Sequence, residues 1–351
     1  MSELLVFCFV LCTEALAGTA QSPAAVDLLN RGLKLHEEGK PRAAVAEYNK
    51  ALKADPKLSE AYFNRGNAHY DLGQNTEALR DYGEVLRMNP KDAEALYNRG
   101  NTYRRLNKDE LALKDYGAAI ELTPNDVKNY VNRGGLHFDA RRYELAIKDY
   151  SEAVRIEPAN PENYYNRGNS LLALGNQEDA IKDYDQALQL DATFAEAYYN
   201  RGIARAERGQ PERAIEDFTV FLDLNPRSVH AFYNRALAKA KLGQHEAAIA
   251  DYSEAIRLAP NDPEPPFNRA LTYMRIEKYD YAARDFSEVI RIQPNNAYAY
   301  VYRGVSRIYQ NKDNDADADF KKAFQLNPDL KTKLQPIIDE AKANGRAKPK
   351  E

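Results

Sequence analysis

The chain of 351 residues has a net charge of −4, with acidic and basic residues intermixed along its length. Charged residues make up 29% of the sequence and hydrophobic residues 44%, which is enough apolar content for a folded core. A nearly neutral, mixed surface attracts neither nucleic acid nor an anionic membrane strongly, so we expect neither as a partner.

The N-terminal segment is the first predicted element. An apolar run from Leu4 to Cys12 contains both cysteines and precedes an A-x-A match that ends at Ala17. The run is too short to span a bilayer as a helix, but its length is typical of the core of a signal peptide. We therefore predict a signal peptide at residues 1–20, cleaved after Ala17 or Ala20, and an exported or periplasmic protein. The alternative is an apolar helix that caps the first repeat of a cytoplasmic protein.

A 34-residue repeat follows, and its clearest mark is an arginine that recurs nine times without a change of spacing. Asparagine precedes the first eight of these arginines. With the asparagine placed at position 6 of the unit, the nine predicted repeats are 25–58, 59–92, 93–126, 127–160, 161–194, 195–228, 229–262, 263–296 and 297–330. Positions in the repeat are numbered on this basis throughout.

Each repeat predicts two helices. In residues 59–92, one helical pattern runs from Glu60 to Leu72 and ends at Gly73, a residue suited to the left-handed conformation that closes a helix. A second runs from Thr76 to Met88 and ends before Pro90. Position 20 is alanine and position 24 is aromatic in every repeat, so a small site and a large ring share one helix face. The unit is therefore predicted to be an antiparallel helical hairpin.

This pattern resembles the tetratricopeptide repeat, W-x2-L-G-x2-Y followed by A-x3-F and P within 34 residues. The resemblance covers residues 25–330, although tyrosine, phenylalanine or weaker fits stand in the tryptophan position. It implies an all-α fold, a right-handed superhelical α-solenoid of antiparallel helical hairpins. It also implies that the first helix of each hairpin lines a concave groove that binds proteins.

The repeated arginine, at position 7, replaces a family leucine. An unpaired charge at a packed position is costly, and the residue sixteen later is acidic in all nine repeats. We predict a ladder of ion pairs, within a hairpin or to the next one, that holds the repeats in register; the alternative is a charged strip for ligand. The ladder comprises Arg65, Arg99, Arg133, Arg167, Arg201 and Arg235 with Asp81, Asp115, Asp149, Asp183, Asp217 and Asp251.

The asparagines predict a binding face. Residues three or four apart share a helix face, so positions 2, 5, 6, 9 and 13 point together. An amide offers donors and an acceptor to a peptide backbone, and aromatic neighbours offer flat apolar area. The predicted peptide-binding residues are Asn64, Asn98, Asn132, Asn166, Asn200, Asn234, Asn268, Phe63, Tyr97, Tyr165, Tyr199, Tyr233 and Phe267. The resemblance extends to the asparagine-lined arm of O-GlcNAc transferase. The alternative, that each asparagine bonds to the backbone of the adjacent repeat, stays open.

Other site classes are not indicated. The five histidines fall in different repeats, and no phosphate loop, nucleophile elbow or Cys-His cluster occurs, so we predict no enzyme, no cofactor and no metal. The lysines and arginine with which related domains hold the acidic C-termini of chaperones are also missing. Position 2 is mostly acidic, as at Glu94 and Glu196, which stabilises a helix N-terminus and favours a neutral or basic ligand.

The chain is predicted to end in a capping helix at residues 331–344, with Leu334, Ile337 and Ile338 covering the last hairpin, and a flexible basic tail at 345–351. The function that the resemblance implies is a non-enzymatic scaffold for a protein or peptide partner. Two alternatives are a self-assembling structural module and a targeting arm for a separately encoded enzyme such as a glycosyltransferase.

Overall fold

The structure, a computed structural model, describes residues 22–347, and side chains as far as residue 344. The predicted signal segment lies outside these residues, as do residues 348–351. The described chain is all-α: it forms nineteen helices and no strand, in pairs that follow the repeat.

The first helices of the repeats carry the asparagines and arginines. They are α1 (Pro23–Glu37), α3 (Ser59–Asp71), α5 (Ala93–Arg105), α7 (Val127–Asp139), α9 (Pro161–Ala173), α11 (Ala195–Glu207), α13 (Val229–Lys241), α15 (Glu264–Arg275) and α17 (Ala297–Tyr309). The second helices are α2 (Pro41–Ala54), α4 (Asn75–Met88), α6 (Asp109–Leu122), α8 (Tyr143–Ile156), α10 (Gln177–Leu190), α12 (Pro211–Leu224), α14 (His245–Leu258), α16 (Tyr279–Ile292) and α18 (Asp313–Leu326). Helix α19 (Leu330–Ala347) follows the last pair.

The chain divides into two compact units, and the division falls between Leu136 and His137, inside α7. In the first unit, α1 packs on α2, α3 on α4 and α5 on α6, and consecutive hairpins are in contact. In the second unit, α8 packs on α9, five further hairpins follow from α9 to α18, and α19 packs against α17.

The first helix of each repeat ends at a residue with left-handed backbone. Position 15 has a positive φ in all nine repeats, between 72° and 84° at its five glycines. The other four repeats hold this conformation with Asn107, Arg141, Glu277 and Asn311, at φ between 55° and 59°. In eight repeats the second helix stops just before the proline that cannot continue it, and in the fifth it stops at the same position although residue 192 is alanine.

The core of each hairpin is a ring packed against a small residue. The alanines at position 20 are fully buried, and the aromatic ring at position 24 is buried beside them, as for Tyr82. The ring also lies against position 8 of the first helix, because a Cβ on Gly66 would stand 2.8 Å from Cε1 of Tyr82. Glycine at this position therefore permits the two helices of the hairpin to approach closely.

The last helix covers the final hairpin with a face that differs slightly from the prediction. Leu330, Leu334, Ile338 and Ala341 are buried against α17 and α18, whereas Ile337 is exposed. These buried residues recur every three or four positions, and Ile337 lies at the edge of the face that they form. The helix also continues three residues past the predicted end at 344, because glycine within a last turn weakens a helix without ending it.

Candidate functional site

The repeated arginines lie beside the acids sixteen residues later, within the same hairpin. Arg65 donates from Nε to Oδ2 of Asp81 at 2.8 Å and from Nη2 to Oδ1 at 2.6 Å, so the pair is two-pronged. The same geometry joins Arg99 to Asp115, Arg167 to Asp183, Arg201 to Asp217, Arg235 to Asp251, Arg269 to Asp285 and Arg303 to Asp319. Bidentate pairs of this kind are the strongest that arginine makes.

The third nitrogen of the guanidinium reaches the preceding hairpin. Arg235 donates from Nη1 to Oγ1 of Thr219 at 3.0 Å, and Thr219 lies on the second helix of the repeat before. Equivalent bonds run from Arg65 to Asn49, Arg167 to Ser151, Arg201 to Asp185, Arg269 to Ser253 and Arg303 to Ser287. One arginine therefore connects the two helices of its own hairpin and the hairpin before it.

Burial and charge make this ladder part of the fold. The side chain of Asp217 is 2% exposed, and both Arg201 and Arg205 donate to it. Lys239 likewise adds a second cation beside Asp251. Hydrogen bonds from the guanidinium to Asp81 raise the pKa of Arg65, which shows that the carboxylate favours the charged form of its partner.

Arg31 stands apart from this pattern. Arg31, in the first repeat, pairs with Asp27 on its own helix, while Glu47 pairs with Lys50. Arg133 and Asp149 lie in different units, so their pairing stays a prediction.

The asparagines bond to tyrosine hydroxyls of the preceding repeat. Asn200 donates from Nδ2 to the hydroxyl of Tyr165, thirty-five residues earlier, at 3.1 Å. The same bond joins Asn132 to Tyr97 at 2.9 Å, Asn234 to Tyr199 at 3.0 Å and Asn268 to Tyr233 at 3.0 Å. These contacts link neighbouring repeats, as the alternative to peptide binding supposed, but through a side chain rather than through the backbone.

Three asparagines have other surroundings. Phe63, at position 5 of its repeat, lacks a hydroxyl. Asn98 instead donates to Oδ1 of Asn67 at 3.1 Å. Asn64 donates to the carbonyl of Glu60 on its own helix at 2.8 Å. Asn166 is half-buried on the same face of α9.

The aromatic residues at position 5 are half-buried rather than flat exposed surfaces. Each ring packs against the ring at position 24 of its own hairpin. The centroid distances are 6.1 Å for Phe63 with Tyr82, 6.0 Å for Tyr97 with Tyr116, 6.1 Å for Tyr165 with Tyr184, 5.9 Å for Tyr199 with Phe218, 6.0 Å for Tyr233 with Tyr252 and 5.5 Å for Phe267 with Phe286. The rings are thus held in place, and the hydroxyls of the four tyrosines lie beside the asparagines of the next repeat.

Position 9 is a further site residue that reasoning from sequence missed. Asn67 accepts at Oδ1 from the hydroxyl of Tyr82 at 2.7 Å, and Asn101 and Asn169 accept likewise from Tyr116 and Tyr184. Where position 24 is phenylalanine, position 9 is aliphatic. These pairs are Ile203 with Phe218, Leu271 with Phe286 and Val305 with Phe320. Asparagine occurs at position 9 only in repeats with tyrosine at position 24, but Leu33 and Leu237 also accompany tyrosines, so the signal in the sequence is partial.

The two ends of the first helices differ in charge in the second unit. Glu162, Glu196 and Glu264 at position 2 are exposed, as are Lys241 and Arg275 at position 13. Eleven residues of helix separate the two positions by about 16 Å. The basic edge is confined to α13 and α15, because position 13 of α11 is Glu207.

Two pockets occupy equivalent places between successive first helices. The pocket between α3 and α5 has a volume of about 470 Å³, and its lining includes Asn67, Tyr82, Asn98 and Asn101. The pocket between α11 and α13 has a volume of about 330 Å³, and its lining includes Ile203, Phe218 and Leu237. We call them the polar pocket and the apolar pocket. Among the described residues, no cluster of histidine, cysteine and acidic side chains could hold a metal, and no helix is long and apolar enough to cross a membrane.

Sequence models of two related families match much of the chain. A model described as "TPR repeat" matches residues 32–73, 136–175 and 168–209. A model described as "Tetratricopeptide repeat" matches residues 63–127 and 199–263. No curated protein matches the chain.

Several solved structures share the fold. The C-terminal part of a TPR repeat-containing protein from Cytophaga hutchinsonii is 16% identical, with a TM-score of 0.53, covering 77% of this chain and 97% of that one. PilW, a type IV pilus biogenesis factor, is 19% identical, with a TM-score of 0.50, covering 59% and 96%. YrrB, described as a TPR protein with an unusual peptide-binding site, is 24% identical, with a TM-score of 0.48, covering 52% and 95%. At these identities the likeness concerns the fold alone.

Proposed function

Because this chain belongs to the tetratricopeptide repeat family, whose repeats serve as protein-interaction modules, we propose that it is a non-enzymatic scaffold that binds an extended segment of a partner protein. The binding surface is the asparagine face of the second unit, formed by Asn166, Asn200, Asn234 and Asn268 on α9, α11, α13 and α15.

One observation carries this proposal: the hydrogen-bonding capacity that each asparagine and its tyrosine retain. Asn200 uses its N–H groups on Tyr165 and on Asn169, and no donor within the described residues engages its Oδ1. The hydroxyl of Tyr165 accepts from Asn200 and has no acceptor for its own proton in the described part of the chain. Each pair thus offers one acceptor and one donor, which match the N–H and C=O groups of a peptide.

Pre-organisation supports binding. The tyrosine ring is packed against position 24, and the amide is held by the hydroxyl, so neither group loses much freedom when a peptide binds. The buried carboxylates, by contrast, are occupied by arginines and are not free to act as acids or bases. This arrangement favours a binding surface over a catalytic one.

The test compares two triple variants by selection from a displayed library of random decapeptides. Asn200→Ala, Asn234→Ala and Asn268→Ala together remove the amides, whereas Tyr165→Phe, Tyr199→Phe and Tyr233→Phe together remove the same inter-repeat bonds and keep the amides. We expect peptides enriched on the unaltered protein to bind the alanine variant at least tenfold more weakly than the phenylalanine variant, about 1.4 kcal/mol.

Melting temperatures of the two variants supply the control, because both lose the same three tyrosine bonds. Equal binding by the alanine variant and the unaltered protein, with the fold retained, would show that the asparagines only join repeats. Failure to enrich any peptide would contradict the proposed function.

A further inference from the structure

The apolar pocket lies on the asparagine face, at the place in the repeat that the polar pocket occupies in the first unit. Ile203 and Ala206 of α11, Phe218 of α12 and Leu237 of α13 form its wall, and Asn234 lies at its margin. Leu237 is 38% exposed, although a leucine at the surface of a packed helix is usually covered further. The pocket is therefore an open apolar depression beside one of the asparagine and tyrosine pairs.

Its walls cannot form side-chain hydrogen bonds. In the polar pocket, the Oδ1 atom of Asn67 holds Tyr82 and Asn98 together. In the apolar pocket, Ile203 replaces that asparagine and Phe218 replaces that tyrosine. A polar ligand group placed there would lose its bonds to water without a replacement, whereas an aliphatic group gains about 25 cal/mol for each Å² that it buries.

The volume of the apolar pocket limits the size of the ligand group that it can hold. The pocket measures about 330 Å³ and opens to solvent, which suits one or two side chains rather than a folded domain. Position 12 is Ala206 in the apolar pocket and Tyr70 in the polar one, so the apolar pocket has no aromatic hydroxyl at this position.

Charged residues at the opening of the pocket indicate which ligand group lies next to the side chain inside it. Lys241 of α13 lines the pocket and forms no ion pair with any described residue. Glu207 lies on the opposite lip and accepts a hydrogen bond from Nε2 of Gln177 at 3.2 Å. The next repeat adds Arg275, also exposed and without an ion pair in the described part of the chain, so the basic edge continues past the pocket.

We propose that the apolar pocket takes an aliphatic side chain of the bound segment, and that a carboxylate on a neighbouring residue of that segment faces Lys241. This inference rests on the proposed function, because the peptide backbone is held by the asparagines beside the pocket. It names the ligand class: an extended peptide in which leucine, isoleucine, valine or methionine lies within two residues of an acid.

The variant that tests it is built from a pair that the chain already uses. Ile203→Asn with Phe218→Tyr converts the apolar pocket to the chemistry of Asn67 with Tyr82, so the added amide and hydroxyl can bond to each other. Leu271→Asn with Phe286→Tyr makes the same exchange two repeats further along, on α15 and α16. Both double variants should fold, which their melting temperatures check.

The random decapeptide library is selected on the unaltered protein and on both double variants. We expect one position in the pool from the unaltered protein to be enriched at least fivefold in aliphatic residues, with an acid within two residues. The enrichment should vanish on Ile203→Asn with Phe218→Tyr and persist on Leu271→Asn with Phe286→Tyr. Lys241→Glu should replace the acid preference by a basic one.

The outcomes separate this inference from the proposed function. One contrary result is a peptide pool that depends on the asparagines but is still enriched in aliphatic residues on Ile203→Asn with Phe218→Tyr. It would overturn the proposed role of the pocket and leave peptide binding intact. A preference for lysine or arginine beside the aliphatic residue would assign the neighbouring contact to Glu207 and overturn the role of Lys241. A pool that does not depend on the asparagines would contradict the proposed function itself.

Discussion

The polar pocket and the apolar pocket occupy the same place in the repeat and are formed by equivalent helices. They differ because two interior residues change together: Asn67 with Tyr82 in one, Ile203 with Phe218 in the other. The amide accepts a hydrogen bond from the buried hydroxyl in the first pair, and the second pair has neither group. Leucine also occurs at position 9 beside a tyrosine, in Leu33 with Tyr48 and Leu237 with Tyr252. The comparison teaches that a repeat can change the chemistry of its surface pocket through its core, without a change in the hairpin.

The largest expected difference in stability is between two pairs of the arginine ladder, those of Arg167 and Arg201. Asp183 has Arg167 as its only cation within the described residues, whereas Asp217 has Arg205 in addition to Arg201. We expect Arg167→Leu to lower the free energy of unfolding by about 3 kcal/mol, because it leaves a buried carboxylate without a partner. Arg201→Leu should cost about half as much, and urea unfolding of both variants measures the difference. Equal losses would show that the second cation does not compensate.

A smaller effect on stability is expected from the coupling of position 9 with position 24, as in Asn67 with Tyr82. Asn67→Ile alone should cost about 2 kcal/mol, because the buried hydroxyl of Tyr82 loses its acceptor. Adding Tyr82→Phe should restore most of this loss and make the polar pocket resemble the apolar one. A double-mutant cycle from thermal or urea unfolding measures the coupling. If the two losses simply add, the residues are independent and the comparison fails.

Alkaline pH should separate the two kinds of repeat. Burial raises the pKa of Tyr82 above that of an unfolded tyrosine, which is about 10. The unfolded chain therefore releases this proton first, so the stability is fully present below about pH 10 and decreases as the pH rises above it. The loss should be about 1.4 kcal/mol per pH unit for each such tyrosine. Urea unfolding at pH 9 and pH 11 should show a smaller decrease in Asn67→Ile with Tyr82→Phe than in the unaltered protein.

The smallest effect concerns a feature that both regions share, the left-handed residue that ends the first helix. Arg141 has φ 57° and Asn107 has φ 55°. Arg141→Gly should raise the stability by roughly 0.5 kcal/mol, because relief of backbone strain exceeds the entropic cost of glycine. Asn107→Gly should change little, since asparagine tolerates this conformation. Melting temperatures measure both, and a loss of stability in Arg141→Gly would contradict the interpretation.

Local features could be predicted from the sequence because they depend on one hairpin. The helix predicted from Glu60 to Leu72 is Ser59–Asp71, and the second one ends at Met88 as expected. The pairing of seven arginines with the acid sixteen residues later could also be predicted from sequence, although the sequence left open whether the pairs lie within a hairpin or between hairpins. A constant period is thus enough to identify such partners.

Contacts between repeats could not be predicted in the same way. The partner of Asn200 is a hydroxyl thirty-five residues earlier, and its identity depends on how one hairpin lies against the next. The same limit hid the bond from Arg235 to Thr219, and it hid the role of Asn169 because position 9 looked like one more face residue. These details needed the relative placement of two packed helices, which the period alone does not contain.

The inter-repeat bonds of the arginines and asparagines all run in one direction. The donor belongs to the later repeat and the acceptor to the earlier one, as in Arg269 to Ser253 and Asn268 to Tyr233. Within each unit, the face of a hairpin turned toward the C-terminus is therefore a template of acceptors, and the opposite face brings the donors. Duplication of a repeat would give its copy a ready-made partner surface on both sides, so such an array can lengthen by whole repeats without a new interface.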